Sequence, residues 1–221
     1  MRRSFAFIAF LLAAPLLVIV APALADPPPP PPELLALMAS PGHKAALLAA
    51  GQQAMATLPE PCASAEWHTT GDVGVIEAPV TGPAGQPTSG MWREQLIASG
   101  CGGARAFNVL TTVQPDGSLA SGPLLPGNTI AGPVLQHDSV GYAAAAFGEL
   151  PPGCAQGVVT NTAFGSFEGD SNPKVPASRN GRPWRETWTL AACGKTADVL
   201  MHFTPDDTGT TISADPAAAV K

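Results

Sequence analysis

Two glutamates sit in the same phrase. Glu94 lies in Trp92-Arg93-Glu94, and Glu186 lies in Trp184-Arg185-Glu186-Thr187-Trp188. A pair of carboxyl groups is the raw material of general acid–base catalysis, one giving a proton and the other taking one. In an extended strand each Glu shares a face with its Trp, because side chains alternate with a period of two. On a buried face the carboxyl needs a partner or a raised pKa. On an open face the indoles form a ligand platform, made of Trp184, Glu186, Trp188, Trp92 and Glu94, that could stack a sugar ring or a partner side chain. Core packing of the indoles, with each Glu paired to a cross-strand Arg or held at a solvated edge, explains the same pattern without chemistry and is preferred to catalysis.

Other chemistry-bearing residues give less. Gly169-Asp170-Ser171 matches the nucleophile block of GDSL-type esterases in its letters. Those enzymes place the Ser early and pair it with a late Asp-x-x-His, whereas here it falls mid-chain in a Pro-rich loop, and Asp198 and His202 are four apart. The triplet therefore reads as a loop, and no G-x-S-x-G elbow is present. The histidines are His43, His68, His137 and His202. Asp198 and His202, on one strand, would stand about 13 Å apart, too far to share a metal. No metal and no cofactor is expected.

The four cysteines Cys62, Cys101, Cys154 and Cys193 lack the paired C-x-x-C spacing of a zinc site, and no two are close enough in sequence for a redox-active pair. Two disulfides remain, with three connectivities open. A repeat selects among them. At a period of 92, Leu58-Pro59 matches Leu150-Pro151, Cys62-Ala63 matches Cys154-Ala155, Trp92-Arg93-Glu94 matches Trp184-Arg185-Glu186, and Cys101-Gly102 matches Cys193-Gly194. After a two-residue slip, Val109-Leu110 matches Val199-Leu200 and Pro115-Asp116 matches Pro205-Asp206. Several rare residues in one order at nearly one spacing indicate two copies of one unit. A unit that carried its own bridge before duplication would carry Cys62–Cys101 and Cys154–Cys193 after it, each spanning 39 positions.

The elements that must position these residues follow from composition. His43 to Thr57 is Ala- and Leu-rich without proline and predicts a helix. Its counterpart is Asp138 to Glu149, with Asp138 or Ser139 as N-cap. Each helix stops at a Leu-Pro pair. Strands are predicted over Trp67 to Val80 and Val158 to Phe167. The repeated phrase then forms a second strand, a Cys-Gly turn leads into a third, and Pro-Asp turns close the hairpins. Phe107, Val109, Thr111 and Val113 alternate on that third strand in the first copy, and Ala197, Val199, Met201 and Phe203 in the second. The fold class is α+β: two tandem helix-plus-antiparallel-strand repeats, about 41–117 and about 126–209, forming one pseudo-symmetric two-layer domain over 41–212 with a single sheet of roughly six strands.

The ends set the compartment. Residues 1–25 read as a signal peptide: Arg2 and Arg3, the apolar run FAFIAFLLAAPLLVIV, then Ala23 and Ala25 before Asp26. The run is shorter than the roughly 20 apolar residues of a bilayer span, so no stable membrane span remains after cleavage. Residues 26–40 read as a Pro-rich spacer containing the run Pro27 to Pro32, and Ile212 to Lys221 as a short edge strand and a frayed tail, with 213–221 flexible. The chain carries 17 acidic and 11 basic residues, and losing Arg2 and Arg3 makes it more acidic still. Nucleic acid is therefore not an expected partner.

The Trp-x-Glu-x-Trp strand, the Cys-Gly turn and the strand ending in Pro-Asp together resemble uncharacterised exported bacterial proteins. The likeness covers 184–209 well and 92–117 less well, since Leu96 stands where the second Trp would be. It implies no activity. The expectation is a periplasmic or secreted, non-catalytic binding or interaction protein of the envelope, with a small molecule, a glycan or an envelope protein as partner. A small exported hydrolase of envelope polymers, with its site between the repeats, is the alternative.

Overall fold

The computed structural model describes residues 30–83, 85–150, 153–154, 157–176 and 179–217. The expected signal peptide, residues 26–29 of the expected spacer and residues 218–221 of the expected tail lie outside them. Among the described residues no helix is long and apolar enough to cross a membrane.

Three helices and eight strands make an α+β fold compatible with two similar units. In chain order they are α1 (Pro32–Ala39), α2 (Pro41–Ala56), β1 (Glu66–Thr81), β2 (Pro87–Gly100), β3 (Gly103–Val113), β4 (Leu119–Pro123), α3 (Pro133–Phe147), β5 (Val158–Phe167), β6 (Trp184–Ala192), β7 (Lys195–Pro205) and β8 (Thr210–Ala214). The strands form two antiparallel four-stranded sheets, β1-β2-β3-β4 and β5-β6-β7-β8. α2 packs on the first sheet and α3 on the second. All three helices open on a proline, whose fixed φ suits the first turn and whose missing N–H is not needed there. Ser40 caps α2, its hydroxyl accepting the His43 N–H.

Several expectations are corrected. The single sheet of roughly six strands is instead two separate sheets of four, with β4 and β8 as an edge strand of each. The second helix starts at Pro133 with Gly132 as N-cap, so Asp138 and Ser139 are interior to it. The spacer does not run to residue 40: α1 occupies Pro32–Ala39 and buries Leu34 completely. The tail is docked as far as Ala217, whose N–H bonds the Ala146 carbonyl, while the Asp215 N–H bonds Leu200.

The two central hairpins share one register. Trp92 pairs Thr111 and Trp184 pairs Phe203; Leu96 pairs Phe107 and Trp188 pairs Val199; Gly100 pairs Gly103 and Ala192 pairs Lys195. The constant offset of 92 therefore runs through β3 and β7, which corrects the expected two-residue slip there: Val109 aligns with Met201, not Val199. Each hairpin closes through a Cys-Gly pair with both residues at positive φ, Cys101 at 45° and Gly102 at 91°, Cys193 at 48° and Gly194 at 79°. Positive φ at both central residues is the type I′ turn that matches strand twist. Cys62 bonds Cys101 and Cys154 bonds Cys193, each pair with Cα atoms 5.9 Å apart.

Each sheet covers its own core. In the first, Leu47, Ala50, Ala54 and Met55 of α2 meet Leu96, Ala98, Phe107 and Val109. α2 comes close at Gly51, where a Cβ would stand 2.7 Å from Leu96 Cδ1 and 2.9 Å from Trp67 Cζ3. In the second, Ala143 and Phe147 of α3 meet Trp184, Trp188, Leu190, Val199, Met201 and Phe203, with Trp184 stacked on Phe203 at 4.8 Å.

The segment 124–131 sews the units together. The Leu124 and Gly127 N–H groups bond the Asn108 and Ala106 carbonyls of β3, and Asn128 then pairs with β5 through Thr162 and Phe164. Gly127 has φ 98°, and a Cβ on it would overlap the Thr162 backbone. Only glycine fits that passage.

Candidate functional site

The Trp–Glu residues lie inside the two cores. Trp92, Trp188 and Glu186 are 0% exposed, Trp184 4% and Glu94 6%, so the ligand platform is corrected: it presents no face to solvent. The period-two alternation was right, but the shared face is the one α2 and α3 cover. The expected cross-strand Arg partners are also absent from it, because Arg93 and Arg185 alternate to the opposite face.

N–H donors satisfy the carboxyl groups instead. Glu94 Oε1 accepts from Trp92 Nε1 at 2.8 Å and lies 2.6 Å from His43 Nε2. Glu186 Oε1 accepts from Trp184 Nε1 at 2.9 Å and from the Ile130 backbone N–H at 3.0 Å, and its Oε2 accepts from Trp188 Nε1 at 2.9 Å. Buried polar groups are expected to be paired in this way. His43 opens α2 as its third residue, and Leu135 is third in α3. Where the first unit draws a donor from its helix, the second draws one from Trp188, whose ladder position Leu96 fills in the first. Glu94 and Glu186 are thus held in separate cores as structural acceptors, and no site brings them together.

The remaining candidates scatter. His202 stands between Glu168 at 3.4 Å and Asp215 at 3.3 Å, while Asp198 accepts from Thr189 on the neighbouring strand. His137 lies beside Asp138 on the surface of α3. The Gly169-Asp170-Ser171 triplet sits in the loop between β5 and β6, as read from composition. No group of three metal-ligating side chains forms among the described residues.

A cleft that no motif announced opens between the units. It has a volume of ≈ 710 Å³ and is walled by the start of β3, the turn after α2, the start of β5 and the β6–β7 hairpin. Gly127 and Asn128 of the connecting segment also line it. The bridges brace two walls: Cys62–Cys101 ties the segment after Pro59 and Glu60 to the β2–β3 turn, and Cys154–Cys193 holds the turn that leads into Lys195 and Thr196. Its polar side chains include Glu60, Arg105, Asn128, Asn161, Lys195 and Thr196. Sequence reasoning missed it because its residues are brought together by the seam at 124–131, not by local pattern. The one sequence signal was the Cys-Gly turn, which marked both hairpin tips. No known protein family, curated protein or solved structure matches the chain.

Proposed function

We propose that the chain is an exported, non-catalytic binding protein of the bacterial envelope, built from two copies of one unit, whose ligand occupies the cleft between them. Shared hairpin register, a proline-opened helix ahead of each sheet and one bridge within each unit support the duplication. Two disulfides among the described residues fit an oxidising compartment, periplasmic or secreted.

The observation that carries the binding reading is the cleft. Its ≈ 710 Å³ lies within the span of small-molecule sites, roughly 300–1,000 Å³, and both units contribute to it. An exported hydrolase would use the same place. The lining favours binding: it offers one carboxylate, Glu60, and no histidine among the described residues, so no pair of carboxyl groups stands there for acid–base work.

Native mass spectrometry of the protein purified from its own host tests this. A bound species should accompany the mature chain and disappear in Asn161→Trp, which fills the cleft from β5. Identical, ligand-free spectra for both forms would refute it.

A further inference from the structure

We infer that the cleft selects a small hydroxyl-bearing ligand carrying an anionic group, carboxylate or phosphoryl; this rests on the binding reading above. Acidic residues outnumber basic ones in this chain, 17 to 11, so each cation has carboxylates to choose from. Four of the described cations are used elsewhere. Arg93 pairs with Asp72, and Arg185 with Glu168, while Arg179 and Arg182 donate to backbone carbonyls. The side chains of Lys44, Arg105, Lys174 and Lys195 have no ion-pair or hydrogen-bond partner among the described residues, and of these Arg105 and Lys195 line the cleft.

They come from different units, Arg105 from β3 and Lys195 from β7, and both are solvent-exposed. An unpaired guanidinium offers a planar fork of donors that matches a carboxylate or phosphoryl group bidentately, and an ammonium adds a second point charge. Asn128, Asn161 and Thr196 offer amides and a hydroxyl that can meet neutral hydroxyl groups. The lining has no aromatic side chain among the described residues. Recognition there runs through charge and hydrogen bonds, with no ring stacking. A ligand held by both cations bridges the units, so its binding also braces the seam between them.

The test is NMR titration of the mature chain at low ionic strength with glucuronate, glucose 6-phosphate and glucose. An anionic probe should shift the amides of Arg105, Asn161 and Lys195. Arg105→Ala and Lys195→Ala should each weaken it about tenfold, and added salt should weaken it further. Response to glucuronate alone assigns a carboxylate, and response to the phosphate ester alone a phosphoryl group. Glucose binding as tightly as either anion, or binding unchanged in the double alanine variant, overturns the inference. Glucose binding that matches the anions and is abolished by Asn161→Trp would leave the cleft reading intact while overturning the anionic one. Anion binding that survives Asn161→Trp would overturn both. Silence from every probe overturns the anionic inference, and the species retained from the host then decides the cleft reading separately.

Discussion

Arg93 and Glu186 hold opposite ends of a single peptide group. The Arg93 guanidinium donates to the Thr129 carbonyl at 3.2 Å, and the N–H of the same peptide, that of Ile130, donates to Glu186 Oε1 at 3.0 Å. One residue belongs to β2 and the other to β6. Each polarises the peptide in the direction that strengthens the other's bond.

The first prediction follows from that relay. Glu186→Gln puts an NH₂ among N–H donors and should cost about 3 kcal/mol in urea unfolding. Arg93→Met removes the guanidinium and keeps the stem. The double variant should show a coupling of about 0.5–1 kcal/mol between side chains that never touch. Strict additivity would show that the seam does not transmit.

His43 and its surroundings make a second case. The first unit holds His43, Gly51, Trp67 and Leu96, and the ladder and helix positions of the second hold Leu135, Ala143, Val159 and Trp188. His43→Leu leaves Glu94 one donor short and should cost about 1–3 kcal/mol. Leu96→Trp alone overpacks against α2, again by about 1–3 kcal/mol. Combining His43→Leu, Trp67→Val and Leu96→Trp should recover much of both losses, read as a denaturation midpoint above that expected from the summed single effects.

The turns give a third. Cys101 has φ 45°, in the left-handed region that costs most L-residues about 1–2 kcal/mol and that Asn tolerates. Removing the bridge as Cys62→Ala/Cys101→Ala should cost roughly 4 kcal/mol through the freed loop, with the turn strain of the native Cys unchanged. Cys62→Ala/Cys101→Asn frees the same loop but should retain about 1 kcal/mol more stability. Equal unfolding midpoints for the two variants would mean the turn conformation is unimportant.

A fourth concerns acid. Asp116 is held below its ordinary value of 3.8 by the Ser118 hydroxyl and N–H, and Asp206 by the Thr208 hydroxyl and the Gly209 and Thr208 N–H groups. Both folded pKa values are depressed, so their contribution is complete above the unfolded value and is lost as pH falls below it through the folded one. The thermal midpoint should drop in that acid window and stay level between pH 5 and 7 as far as these groups are concerned. Asp116→Asn and Asp206→Asn together should flatten the acid limb.

What was legible in the sequence is what repeats locally. The Cys-Gly turns, the alternation of Trp184, Glu186 and Trp188, and the second strand pattern at Val158 to Phe167 all follow from period and turn chemistry. β4 was missed because Leu119-Ala120-Ser121-Gly122-Pro123 carries breakers and borrows its pairing from β3. α1 was missed because its prolines read as a continued spacer, although Leu34 is what anchors it. Which face of the Trp strand is buried cannot be read from alternation alone, since a second layer decides it. The cleft depends on a peptide seam between distant segments and left no periodic trace.

The connectivity of the bridges has a consequence for biogenesis. Cys62 joins Cys101 and Cys154 joins Cys193, so every cysteine pairs with its nearest neighbour along the chain and the closed loops neither nest nor cross. A polypeptide threading N-terminus first into an oxidising space presents its thiols in native order. On the proposed export, an oxidant that couples them as they appear would make the right bonds without an isomerase, and the first half would be locked before the second arrived.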